Sequence, residues 1–153
     1  MDTGPLYVAL SDQAHIDFKE RSKEYPLETL YSIGEDAIEH NDLLAGIIAY
    51  NSIFEKEGKL GVGILAADLL YAELRLESGD LGFAKKASDI SYVSMVNSRM
   101  LHMHSLIGDD KLSLVERLVD RVAGDIRAME YEEKEKHDSE YLRFKEYSIE
   151  NLL

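Results

Sequence analysis

The chain contains no cysteine and no tryptophan among its 153 residues. Without cysteine it has no disulfide, thiolate nucleophile, zinc–thiolate site or iron–sulfur cluster. Proline is nearly as scarce, with two residues, Pro5 and Pro26, so the last 127 positions have none. A β-rich chain of this size uses more Pro and Gly to punctuate its strands. Positive charge is short as well: 17 Lys and Arg stand against 30 Asp and Glu, a formal net charge of -13. That balance disfavours nucleic acid and anionic membrane surfaces, both of which select clustered cations. The N-terminal ten residues lack the basic start and long apolar stretch of a signal peptide. The most apolar runs, Leu43–Phe54 and Leu60–Ala72, fall short of the ~20 residues of a membrane span. A cytoplasmic protein that does not enter the membrane is the expectation.

What is present is 45% hydrophobic residues, enough for a sizeable core in one domain, and their spacing is helical. A first helix is predicted over Ser11–Glu24, with Ser11 as N-cap. Pro26 then opens a second. Leu27, Leu30, Gly34, Ala37 and Ile38 make one stripe along it. After His40-Asn41-Asp42, Asp42 is placed to cap a third helix. Leu43–Phe54 carries no charge, which predicts a central helix surrounded by others. Gly58 ends it.

A fourth helix follows over Leu60–Glu77. Ala45 and Ala49 on the third, and Gly63 and Ala67 on the fourth, predict small faces that let the two axes close into a tight antiparallel hairpin. Gly46, Gly61 and Gly63 need that close approach, since each weakens a helix by roughly 1 kcal/mol relative to Ala.

Ser78-Gly79-Asp80 repeats the turn chemistry of Asn41-Asp42, with Asp80 as cap of a fifth helix. Ser91–Ser98 has poor helix propensity and predicts a kink. Gly108-Asp109-Asp110 is a third turn of the same kind, after which Ser113 and Glu116 fit a capping box. Val115, Leu118, Val122, Ile126 and Met129 form a long apolar stripe, offered as a surface for self-association. Glu130–Lys134 and Glu132–Lys136 then support a solvated helix. Tyr141, Phe144 and Tyr147 restore an apolar edge.

The turns at Asn41 and Gly79 lie 38 residues apart, near the period of a helical-hairpin repeat. Gly34, Ala37, Asn41, Gly46 and Tyr50, followed by Tyr71, Ala72, Gly79, Asp80, Ala84 and Ala87, resemble a tetratricopeptide-like repeat. The resemblance covers Leu27–Tyr92 and implies a scaffold that binds a peptide or protein, with no chemistry of its own.

Few residues point to a reaction. Arg99 and His104 resemble the Arg–His motif of HEPN-type helical ribonucleases, in which the Arg neutralises a phosphodiester and the His moves a proton. Met100 departs from that motif, and seven Arg and five His in one chain supply such spacings readily. His102 and His104 are two apart, on opposed sides of a helix, and cannot share a metal. Asp68 among Ala66, Ala67, Leu69 and Leu70 is either a ligand or proton-transfer group, or a carboxylate at a solvent edge. Met95, Met100 and Met103 fill core or line a groove. No Glu-x-x-His pair suggests a di-iron bundle, and Gly58, Gly61 and Gly63 precede no Gly-Lys-Ser/Thr phosphate loop.

The sequence therefore predicts a single all-α domain over 1–153 with six or seven antiparallel helices, stacked as hairpins in a right-handed array or bundle. Residues 1–10 are expected to be irregular and 131–153 a charged C-terminal helix or appendage. The expected function is protein–protein interaction or assembly with a protein or peptide partner or a second copy. A HEPN-like ribonuclease is the alternative. No catalytic, cofactor-binding or metal-binding residue is assigned.

Overall fold

The computed structural model describes residues 13–152, with side chains up to Glu130 except at 14 and 15. Among them lie six α-helices and two short 3-10 turns, with no strand. The helices are α1 (Gln13–Ser22), α2 (Leu27–Glu39), α3 (Leu43–Glu57), α4 (Gly63–Glu77), α5 (Ala84–Met103) and α6 (Asp109–Leu152). None of the described helices is long and apolar enough to cross a membrane. The expected start at Ser11 and the segment 1–10 lie outside the described residues.

Three helix ends share one backbone solution. The α2, α4 and α5 termini each close with a left-handed residue, Asn41 (φ 57°), Gly79 (φ 85°) and Ser105 (φ 57°). The next N–H reaches back five residues each time: Asp42 to the Ala37 carbonyl, Asp80 to Arg75, Leu106 to Leu101. This is the Schellman closure, which satisfies carbonyls the helix leaves orphaned. The first two turns lie where the sequence places them. The third break also falls as expected, with α6 starting at Asp109 after Gly108, although its left-handed residue is Ser105.

Asp42 starts α3 as expected, accepting the Ala45 N–H at 3.2 Å. Asp80 does not cap a helix through its side chain, because Arg75 holds its carboxylate instead. Leu60 precedes α4 rather than opening it; Gly58–Leu60 forms a 3-10 turn and the helix begins at Gly63. The kink expected at Ser91–Ser98 is absent, and α5 is continuous. Its poor formers are held by packing: Ser94 and Ser98 are buried, and the Ser98 hydroxyl donates to the Met95 carbonyl at 3.0 Å. Propensity of a few tenths of a kcal/mol per residue yields to such burial. Ser113 and Glu116 lie inside α6, so no capping box forms there.

The core has two parts. Leu30, Tyr50, Ile53, Leu69 and Leu70 anchor the larger, while Phe18, Ala37, Ala45 and Ala49 form a smaller cluster beside it. Helix α3 packs against α1, α2 and α4; α4 packs against α3, α5 and α6. The α3–α4 hairpin is tight as expected, with Gly63 making the close approach and Gly46 clearing space for Leu70, whereas Ala45 and Ala49 face α1 and α2. A Cβ at Gly63 would stand 2.7 Å from the Phe54 nitrogen and 2.8 Å from the Tyr50 carbonyl oxygen. Gly34 clears space for the Tyr50 ring, which a Cβ would meet at 2.6 Å.

The stripe offered for self-association is used internally. Leu114, Val115, Leu118 and Val122 are buried in the same core, with Ile126 and Met129 packed against it. From Asp109 the α6 backbone continues for 44 residues, about 66 Å at helical rise. Tyr141, Phe144 and Tyr147 lie outside the described side chains.

Candidate functional site: a groove between α4 and α5

Helices α4 and α5 leave an open groove of about 670 Å³ between them. Ile64 and Leu65 from α4, and Ile90 and Leu101 from α5, give it an apolar base. Val93 and Met100, each 52% exposed, form its outer wall. On α5 the lining residues Ile90, Val93, Asn97, Met100 and His104 recur at steps of three, four, three and four. That is the spacing of a coiled-coil seam, the stripe one helix offers another. Tyr92, Val96 and Met103 extend the exposed apolar surface beside it.

Charge divides the groove. Asp89 lies toward the α4–α5 turn and Asp68 partway along the groove, while Lys59 and His104 lie at the far end. Among the described residues no cation pairs with Asp68 or Asp89. Asp68 is at a solvent edge, one of the two placements its sequence context left open, and partial desolvation raises its pKa above the ordinary carboxylate value. Of the three methionines, Met100 and Met103 are exposed and Met95 is partly buried, so two are surface rather than core.

Arg99 and His104 diverge. Five residues on one helix separate them by about 140° around its axis, and His104 lines the groove while Arg99 does not. No hydrogen bond or ion pair joins them among the described residues. His102 bonds Asp109 at 2.6 Å instead.

A second polar cluster lies away from the groove. Glu73 is 3% exposed and takes three hydrogen bonds from Arg121, at 2.7 to 3.1 Å. The same guanidinium donates to the Ile38 carbonyl at 3.1 Å and the Asn41 side chain at 2.8 Å. It thereby ties α6 to α4 and to the left-handed turn after α2. Glu73, Glu77 and Asp125 bring carboxylate oxygens within 4.8 Å of one another. Burial, then the neighbouring negative charges, raise the Glu77 pKa. Burial and Glu73 raise that of Asp125 against the pull of Arg121. Arg121 already supplies the cation that three carboxylates attract, and it holds both Glu73 oxygens, so the cluster reads as a structural clamp. Asp68, Asp89 and His104 form no comparable three-group cluster.

The exposed α5 seam is the surface feature that the sequence pattern did not reveal. Its spacing was visible in the residues, but its poor helix propensity pointed to a kink. The class defined by fold and groove is an all-helical bundle or array with an open groove between α4 and α5. No family model matches the chain, and neither the curated proteins nor the solved structures give a match.

Proposed function

We propose that the protein is a non-enzymatic interaction or assembly module whose α4–α5 groove receives a helix from another protein chain. The observation that carries this reading is the unpaired three–four seam on α5, facing an apolar wall of α4. Other modes of peptide recognition find little here. No strand edge is available among the described residues for β-addition. The lining has no aromatic residue for a polyproline segment and no Arg cluster for a phosphate. A small ligand needs enclosure of most of its surface, whereas Val93 and Met100 stand open to solvent. A helix in a groove between two helices fits these constraints. The hairpin stacking and the paired turns at Asn41 and Gly79 support the tetratricopeptide-like reading and its scaffold role.

The test uses a fluorescein-labelled heptad peptide with Ile and Leu at its seam positions. Fluorescence anisotropy against the whole chain is expected to give saturable binding, weakened about a hundredfold or more by Val93→Asp with Met100→Asp. Absence of binding by a monomeric chain, or binding indifferent to both substitutions, overturns the reading.

A further inference from the structure

We infer that the helix seated in the groove is α5 of a second copy of this chain, antiparallel to the first and related to it by a two-fold axis at Asn97. The inference rests on the groove-docking reading and names its partner. A two-fold contact requires a surface complementary to itself, and this seam is. Reversal about residue 97 sets Ile90 opposite His104, Val93 opposite Leu101 and its neighbour Met100, and Asn97 opposite its own copy. The same reversal brings Asp89 at one end of each groove against the end bearing Lys59 and His104. Each copy then satisfies the charge its partner leaves unpaired, which is the complementarity that fixes register and direction.

Asn97 is the centre of the argument. It is an exposed polar residue between apolar ones in the seam. A polar residue at one such position specifies register and oligomeric state. The amide both donates and accepts, so two copies meeting on the axis satisfy one another. Tyr92 and Met103, 73% and 78% exposed, flank the seam at opposite ends and are covered by the same pairing. Between residues 89 and 104 the contact is about 22 Å long at helical rise.

Sedimentation equilibrium of the full chain tests this. The expected mass is twice 17.3 kDa at micromolar concentration. Val93→Asp with Met100→Asp is expected to leave a monomer with an unchanged helical circular-dichroism spectrum. Asp89→Lys alone and Lys59→Glu alone are each expected to weaken the dimer by about tenfold. Mixing those two variants is expected to restore it, because both cross-axis charge pairs are then complementary. These residues are exposed, so folding survives the changes. A monomer throughout, a dimer untouched by the Val93 and Met100 changes, or no recovery on mixing overturns the two-fold pairing. A chain that stays monomeric yet binds the heptad peptide loses this inference alone; one that does neither loses the docking reading as well.

Discussion

The two faces of α4 are built to opposite rules. Toward α3 it presents Gly63, and the gap is so closed that a single methyl would meet backbone atoms at 2.7 and 2.8 Å. Toward the open side of α5 it presents Ile64 and Asp68, and space of about 670 Å³ remains. The connections differ: α3 ends at Gly58 and a 3-10 turn, whereas α4 ends in the left-handed closure at Gly79. Side-chain size and exposure differ as well. Small residues and one buried Tyr50 seal the first interface, while α5 turns Val93, Asn97 and Met100 outward. The chain thus seals one helical interface and leaves an apolar seam exposed on the next.

The contrast predicts unequal responses to mutation. Arg121→Met is expected to be the most damaging, removing about 3 kcal/mol, because it strands a buried Glu73 carboxylate without its cation. Urea unfolding measures it, and a loss under about 1 kcal/mol would reduce the clamp to a surface pair. Gly63→Ala comes next on the sealed side, at about 2 kcal/mol destabilising despite the better helix propensity of Ala. A neutral result in thermal melts would mean the α3–α4 interface yields. Tyr50→Phe is expected to stabilise by about 1 kcal/mol: the ring is fully buried, and its hydroxyl has no hydrogen-bond partner.

The carboxylate cluster adds a pH dependence with a definite sign. Glu77 and Asp125 keep their protons to higher pH when folded than at their ordinary values of 4.5 and 3.8. The folded state thus binds more protons in that window, and their contribution, full below it, is lost as pH rises through the raised values. Glu77→Gln is expected to raise the urea midpoint at neutral pH and to leave it unchanged in acid, below the ordinary carboxyl range. Equal effects at both would detach Glu77 from the cluster. On the open side Val93→Ala is expected to cost the folded monomer under about 0.5 kcal/mol while weakening peptide binding in the groove. A large stability loss would show that the open face is core after all.

Much of the fold was legible because its signals are local. The stripe through Leu30, Gly34, Ala37 and Ile38, the cap at Asp42, the stop at Gly58 and the paired turns at Asn41 and Gly79 depend on residues within one or two turns of each other. The groove was not legible. Reading Ser91–Ser98 by propensity gave a kink, although Ser94 and Ser98 are held helical by burial from other elements. Asp80 fits a cap after Ser78-Gly79, but Arg75, only five residues earlier, takes its carboxylate instead. The Val115–Met129 stripe was seen correctly as apolar, but its placement against α4 and α5 required contacts far along the chain.

The sequence by itself determined an acidic all-helical chain, the positions of most helix ends and the set of apolar stripes, because capping, backbone conformation and periodicity act between near neighbours. The tertiary structure alone decided which stripe is buried and which stays open, where Glu73 finds Arg121, and that α5 presents a seam to solvent. Those outcomes depend on packing between segments tens of residues apart, and hydrophobic attraction, which has no direction of its own, does not choose among partners until the helices are assembled.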